Sequence, residues 1–169
     1  STGLLTFNFR FNILCSTAVY IYVILYYKMA LLIELLPGGI VPKRGTDGSA
    51  GYDLFLPHSI ELSNGLNLIP LRIKIKLPPN TYGSIRCRSS LAMKGMSVEA
   101  GVIDEDYVGE IKVLLRTREI QMELMKGHAI AQLIVQPYLT PQVQEVTYLE
   151  KTDRGSSGFG STDKNVASI

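Results

Sequence analysis

The chain has 169 residues, 46% of them hydrophobic, and a formal charge of +2. That is the length and apolar content of one compact domain, and the near-balanced charge excludes the basic stripe that neutralises a nucleic-acid backbone, so no nucleic-acid polymer is expected as a partner. The two cysteines, Cys15 and Cys87, suggest neither a disulfide framework nor a cysteine metal site, and they fit a reducing compartment such as the cytoplasm or nucleus.

Residues 1–28 have a character of their own. Phe11 to Tyr27 is uncharged, flanked by Arg10 and Lys28, and seventeen residues long, at the low edge of the roughly 17 to 25 residues that span a bilayer. Four tyrosines and several β-branched residues dilute the membrane signal, and no small-residue cleavage pattern follows. The segment reads as sequence upstream of the domain, as a membrane anchor, or as an extra packed strand, and the residues leave these open. The compact domain is expected to begin at Met29 and run to residue 150.

From Ala30 onward short apolar runs alternate with Pro, Gly and Asn, and hardly any stretch has helical period, which predicts a mostly β protein. Leu71 to Leu77 places Leu, Ile, Ile and Leu on one face and Arg, Lys and Lys on the other, a half-buried strand ended by Pro78-Pro79. Further strands are expected at Ile33–Leu36, Ser59–Leu62, Tyr82–Cys87, Glu110–Leu115, Ile130–Pro137 and Gln144–Leu149, with the spacing of a sandwich or jelly roll. One short helix is expected at Ser89–Lys94, stopped by Gly95. Residues 151–169 are rich in Gly, Ser, Thr, Asp and Asn, a tail that stays flexible unless a ligand orders it.

Five short segments carry chemistry, each of them weak alone. Gly48-Ser-Ala-Gly-Tyr-Asp-Leu-Phe55 brackets a turn with glycines and leads into a strand carrying Asp53. In Arg86-Cys-Arg-Ser-Ser-Leu-Ala92 a basic residue and two hydroxyls precede a helix, so that Arg88, Ser89 and the first-turn N–H groups can face an anion; alternatively Ser89 is a plain helix cap. Ala100-Gly-Val-Ile-Asp-Glu-Asp-Tyr-Val-Gly-Glu110 reads as a hairpin with an acidic turn. One of its carboxylates can deprotonate a water while the ring of Tyr107 offers a flat face to a sugar or base; an Asp-rich turn with a core tyrosine is the plain alternative.

Lys126-Gly-His-Ala-Ile-Ala-Gln-Leu-Ile134 is a turn into a strand, with His128 in the turn and Gln132 an amide in an apolar run. That amide must bond either the backbone or a phosphate oxygen. Arg154-Gly-Ser-Ser-Gly-Phe-Gly-Ser-Thr162 combines glycines that let the backbone wrap a ligand, Arg, Ser and Thr as phosphate donors, and Phe159, an apolar ring suited to covering a nucleobase.

Together and in this order the five segments resemble the five motifs of the trimeric dUTPase family, spanning Gly48 to Thr162. The resemblance implies a jelly-roll-like β-barrel or sandwich with one short helix, assembled as a homotrimer whose sites draw on all three subunits, with the C-terminal tail as a lid. It implies Mg²⁺-assisted, in-line hydrolysis of dUTP to dUMP and pyrophosphate. Asp104 would position and deprotonate the attacking water. The backbone from Gly101 through Val102 and Ile103 would read the uracil edge, and Tyr107 would stack under deoxyribose. Arg88, Ser89, Ser90 and Gln132 would contact the phosphates and Arg154 the γ-phosphate. Ser161 and Thr162 would help hold the γ-phosphate, with Gly160 also binding substrate, while Phe159 covers the base. Mg²⁺ would ride mainly on the triphosphate, with Asp53 near its waters.

Three positions depart from the family pattern. Cys87 and Ser90 stand where Pro and Gly are usual, which the small hydroxyl should tolerate. His128 and Ala129 replace an Asp and an Arg, removing a structural ion pair. Glu99 replaces a glycine ahead of the hairpin, where its carboxylate is expected to crowd or repel nucleotide. Two other functions fit the same fold: a catalytically silent interaction protein, against which Asp104, Tyr107 and Arg154 argue, and a dCTP deaminase, against which the carboxylate-free run Ile111–Leu115 argues.

Overall fold

The structure, a computed structural model, describes Val19, Ile21 and residues 29–156, the side chains of Glu119 and Ile120 excepted. The chain divides into two units, Ser1–Leu139 and Thr140–Ile169.

The first unit is built from two antiparallel sheets. One runs in the order β1 (Leu32–Leu35), β4 (Ile60–Lys76), β8 (Glu110–Leu124), β6 (Ser97–Glu99). The other runs β2 (Lys43–Arg44), β3 (Gly51–Phe55), β9 (Ala129–Pro137), β5 (Thr81–Arg86), β7 (Val102–Ile103). Both contribute to a single core, as the pattern of short alternating strands requires. Leu71, Ile73, Ile75 and Leu77 are buried from the first sheet together with Ile111, Val113 and Leu115, and Leu54, Ile85, Ile130 and Leu133 from the second.

The expected strands at Ser59–Leu62 and Leu71–Leu77 are one strand, β4, seventeen residues long. Gly65 at φ 98° and Arg72 at φ 58° absorb the register shifts against β8 between Ser63 and Gly65 and between Pro70 and Lys74. Such bulges bend a long strand without ending it, and so the intervening Pro and Gly do not punctuate it. Its partner β8 likewise continues to Leu124, past the expected end at Leu115.

The helix, α1 (Ser89–Ala92), is shorter than expected, and Arg88 rather than Ser89 is its N-cap, with no side-chain capping bond. Gly95 does close the turn: at φ 76° it donates to Ala92 O while Met96 N–H reaches back to Leu91 O, the paired bonds of a Schellman ending. Leu91 and Met96 point into the core.

In the second unit the expected strand Gln144–Leu149 is not formed. A strand exists only through a ladder of bonds to a neighbour. Here Val143, Val146, Tyr148 and Leu149 all stand exposed. No helix among the described residues is long and apolar enough to cross a membrane, and most of the 11–27 segment lies outside those residues.

Candidate nucleotide site

Strand register assembles the first cluster. Lys43 pairs with Asp53, Asp53 with Gln132, and Gln132 with Arg86, so one row crosses four strands. The neighbouring residues Leu54, Leu133 and Ile85 are buried, which by the two-residue period of a strand turns the row away from the core.

Arg88 closes over this row. Its Nε lies 3.0 Å from Asp53 Oδ1, one terminal nitrogen 3.4 Å from Oδ2, and the other donates to Ala129 O at 3.1 Å. The Gln132 amide donates to Cys87 O at 3.2 Å, and its carbonyl end occupies space left by Gly51. A Cβ built there would stand 2.5 Å from Gln132 Oε1. Ser89 and Ser90 follow in the first turn of α1, exposed. Asp53, expected near a metal's waters, and Arg88, expected on phosphate, are thus paired with each other. Lys43 lies outside the five segments, and Arg86, which opens the second, had no role of its own; only strand register brings them to the row.

The acidic turn makes the second cluster; β7 pairs with β5 while β8 lies in the other sheet, so the expected hairpin is instead a hairpin-like loop that joins the two sheets. Ala100 at φ 59° and Gly101 at φ 111° turn the chain, and Gly101 O accepts from Ile85 N–H at 2.7 Å. A Cβ on Gly101 would meet Ile85 O at 2.8 Å, so glycine is required for this approach. Tyr107 N–H closes the acidic turn onto Asp104 O at 3.1 Å. The Tyr107 hydroxyl donates to Glu110 O at 3.0 Å, and its ring lies over Gly109, where a Cβ would stand 2.5 Å from the phenol oxygen. Val102, Ile103, Asp104, Tyr107, Glu110 and Lys112 line a cavity of about 200 Å³.

Glu110 and Lys112 are site-lining residues the sequence reading passed over. The signal was available: buried Ile111 and Val113 imply that their strand neighbours face the other way. Glu110 is also a carboxylate at the head of β8, just before the Ile111–Leu115 run; its Oε1 is engaged by the backbone N–H of Arg72 at 3.0 Å.

Glu99, expected to crowd or repel nucleotide, has partners within the chain. Its Oε1 accepts from Arg116 Nε and from Ser97 Oγ, each at 2.8 Å. The Arg116 bond, aided by Ser97, holds its carboxyl below the usual glutamate range, and Glu99 does not line the cavity beside Asp104. His128 is a turn residue whose Nδ1 accepts from Met125 N–H at 3.4 Å. At the two altered positions of this turn the backbone makes the contacts, His128 O accepting from Leu56 and Ala129 O from Arg88.

The clusters touch at Gly101, which with Ala100 and Val102 shares a cavity with Arg86 and Cys87, but Asp104 stands apart from Asp53, Arg88 and Gln132. Ile103 pairs opposite Gly83, three residues along β5 from Arg86, roughly 10 Å at about 3.3 Å per residue, and Asp104 lies beyond it. None of the bonds made by Asp53, Arg88 or Gln132 reaches the hairpin. Arg154 lies exposed in the second unit, in a turn where Gly155 N–H donates to Thr152 O at 2.9 Å. Phe159, Gly160, Ser161 and Thr162 lie outside the described residues.

The family model of dUTPase matches residues 38–163. The chain belongs to the dUTPase family. Among curated dUTPases, the deoxyuridine 5'-triphosphate nucleotidohydrolase of Fowl adenovirus A serotype 1 is 41% identical over 145 residues, covering 81% of this chain and 82% of that one. The enzyme of the same name from Paramecium bursaria Chlorella virus 1 is 44% identical, covering 78% of this chain and 96% of its own. Among solved structures, a dUTPase of Staphylococcus bacteriophage 80alpha, determined with dUpNHpp, superposes at a TM-score of 0.74, with 24% identity, over 78% of this chain and 97% of that one. At that identity the likeness concerns the fold, which is the jelly-roll-like fold of dUTPases.

Proposed function

We propose that this chain is a dUTP diphosphatase that hydrolyses dUTP to dUMP and pyrophosphate, and that its site residues act as follows. The observation that carries the reading is the cavity lined by Asp104, Tyr107 and the apolar Val102 and Ile103. The flat face of a base and a sugar ring fit such walls, and a carboxylate at their edge is placed to take a proton from water. Asp104 accepts that proton as the water attacks the α-phosphorus in line, and pyrophosphate leaves. The backbone from Gly101 to Asp104 faces the uracil, and Tyr107 lies against deoxyribose.

Phosphate contacts fall to the other cluster. Gln132 and the hydroxyls of Ser89 and Ser90 bond phosphate oxygens, and Arg88 neutralises charge there without leaving Asp53. Arg154 meets the γ-phosphate. Ser161 and Thr162 help to hold that phosphate, Gly160 beside them contacts the nucleotide, and Phe159 covers the base.

No group of three or more His, Cys, Asp or Glu residues able to hold a metal occurs among the described residues. An ion borne by the triphosphate fits the residues present. Asp53 shares its oxygens with Arg88 yet keeps acceptor capacity for a metal-bound water, since a carboxylate offers about four lone-pair sites. Mg²⁺ carried this way supplies charge neutralisation to the phosphates.

The separation of Asp104 from Asp53, Arg88 and Gln132 supports a site completed by another copy, and a homotrimer provides one. The exposed apolar residues of the 140–150 stretch agree with assembly. Mixing tests this: Asp104→Asn and Gln132→Ala chains, each inactive, are co-refolded in equal amounts. Sites taking one residue from each copy recover about a quarter of wild-type activity by random assortment. Mixtures as inactive as either parent would place both residues in one protomer's site and remove the assembly argument.

A further inference from the structure

Along the hairpin tip exposure alternates: Asp104 and Asp106 are exposed, while Glu105 between them is partly buried. The reason is its bonds. Glu105 Oε2 accepts from the backbone N–H of Asn80 at 2.8 Å and from the Tyr138 hydroxyl at 3.0 Å. Asn80, at φ 59°, sits in the turn between β4 and β5, and its carbonyl accepts from Tyr138 N–H at 3.2 Å. The Tyr138 ring meets Tyr82 edge-on at 6.4 Å between centroids. One carboxylate therefore ties the tip of the acidic hairpin to a β-turn and to the residue that follows β9.

The tip has little else to hold it. β7 is two residues long and pairs only through Ile103–Gly83 and Val102–Ser84. Beyond it, the turn bond from Tyr107 to Asp104 is local and would survive rotation of the whole tip. Asp104 is one peptide from Glu105 and borders both the nucleotide-site cavity and a larger one, of about 820 Å³, on the Tyr82 and Tyr138 side. Which of the two its carboxylate serves depends on how the tip is turned.

We propose that Glu105 is a positioning residue: by accepting from Asn80 and Tyr138 it fixes the hairpin tip so that Asp104 presents its carboxylate to the nucleotide cavity. The proposal rests on the reading of Asp104 as the base. A carboxylate acceptor makes stronger bonds than a neutral one, and geometry matters because displacing a reacting group by about 1 Å costs on the order of 100-fold in rate.

The test uses the full chain with Glu105→Ala, Glu105→Gln and Tyr138→Phe, and two readouts: amide hydrogen exchange of residues 102–108 without nucleotide, and the kinetics of dUTP hydrolysis. Glu105→Ala should speed exchange at the tip about tenfold or more while leaving β8 and β9 unchanged, and lower kcat about 10- to 100-fold with KM moved less than about threefold. Glu105→Gln, which keeps an acceptor oxygen, should return both readouts to within about threefold of wild type, and Tyr138→Phe should fall between. Unchanged exchange in Glu105→Ala overturns the proposal, whatever the rate does. So does a Gln variant as impaired as the Ala variant, because the charge and not the bonds would then matter. Wild-type protein that does not turn over dUTP removes the reading of Asp104, and the exchange data then still decide whether Glu105 holds the hairpin.

Discussion

Gly51 lies diagonally across from Gln132 on β3 and β9, with no room between them for another carbon: a Cβ on residue 51 would stand 2.5 Å from Gln132 Oε1. The intruded atom is the far end of a flexible side chain, so Gly51→Ala should swing the amide aside and leave the strand pairing intact. The expected result is a loss of dUTPase activity of about tenfold or more with stability changed by less than about 1 kcal/mol. Thermal unfolding alongside kcat/KM checks it; a variant with wild-type turnover would show that the seat of Gln132 does not matter.

Gly109 stands in the same relation to Tyr107, with the phenol oxygen 2.5 Å and ring carbons 2.6 and 3.0 Å from a built Cβ. A rigid ring cannot yield as an amide can. Gly109→Ala should therefore displace Tyr107, raise KM for dUTP several-fold and weaken discrimination against UTP. Because Tyr107 is 43% exposed, the melting temperature should move little. Competition of dUTP and UTP is the measurement, and unchanged discrimination would remove Tyr107 from the sugar contact.

Glu99 links stability to pH. Arg116, then Ser97, depress its carboxyl below the ordinary value of 4.5. A depressed carboxyl contributes stability that is present above its unfolded pKa and lost as pH falls through the folded one. Wild type should thus melt above Glu99→Gln at neutral pH, with the gap closing as the pH drops below 4.5. A gap that persists in acid would mean the charge on Glu99 is not what Arg116 recognises. Turnover by Glu99→Gln should match wild type, since this side chain does not line the cavity.

Tyr138 shifts the other way: the bond to Glu105, with burial and the charges of Glu105, Asp106 and Asp104, raises its phenol above 10.0. A raised group contributes stability below its unfolded pKa that is lost as pH rises through the folded one. Tyrosinate absorbance of wild type minus Tyr138→Phe should report a phenol titrating above 10.0, and Glu105→Ala should lower it. An unshifted titration would contradict the hydrogen bond.

Leu71 to Leu77 shows what is legible in residue order. Alternation alone placed four side chains in the core, and all four are buried. The motif segments were legible as residue types, but register was not: nothing in the chain order says that Asp53, Gln132 and Arg86 stand side by side, because that depends on how three distant strands slide against one another. The partner of Glu99 was hidden for the same reason, Arg116 arriving through β8. Gln144–Leu149 reads as a strand by composition, but pairing is a property of two segments, and within its own chain it has no ladder. Pro70 and Gly65 read as strand ends because a bulge uses the same residues as a turn.

The central claim is that the Asp104 hairpin hydrolyses dUTP, and pyrophosphate release tests it most directly. Residues 1–169 and the Asp104→Asn variant are compared on dUTP, dCTP, dTTP and UTP, with and without Mg²⁺. The account predicts Mg²⁺-dependent release that is selective for dUTP, and its loss by about 10²-fold or more in Asp104→Asn. Folded wild-type protein that releases no pyrophosphate from dUTP, or an Asp104→Asn variant as active as wild type, would contradict it.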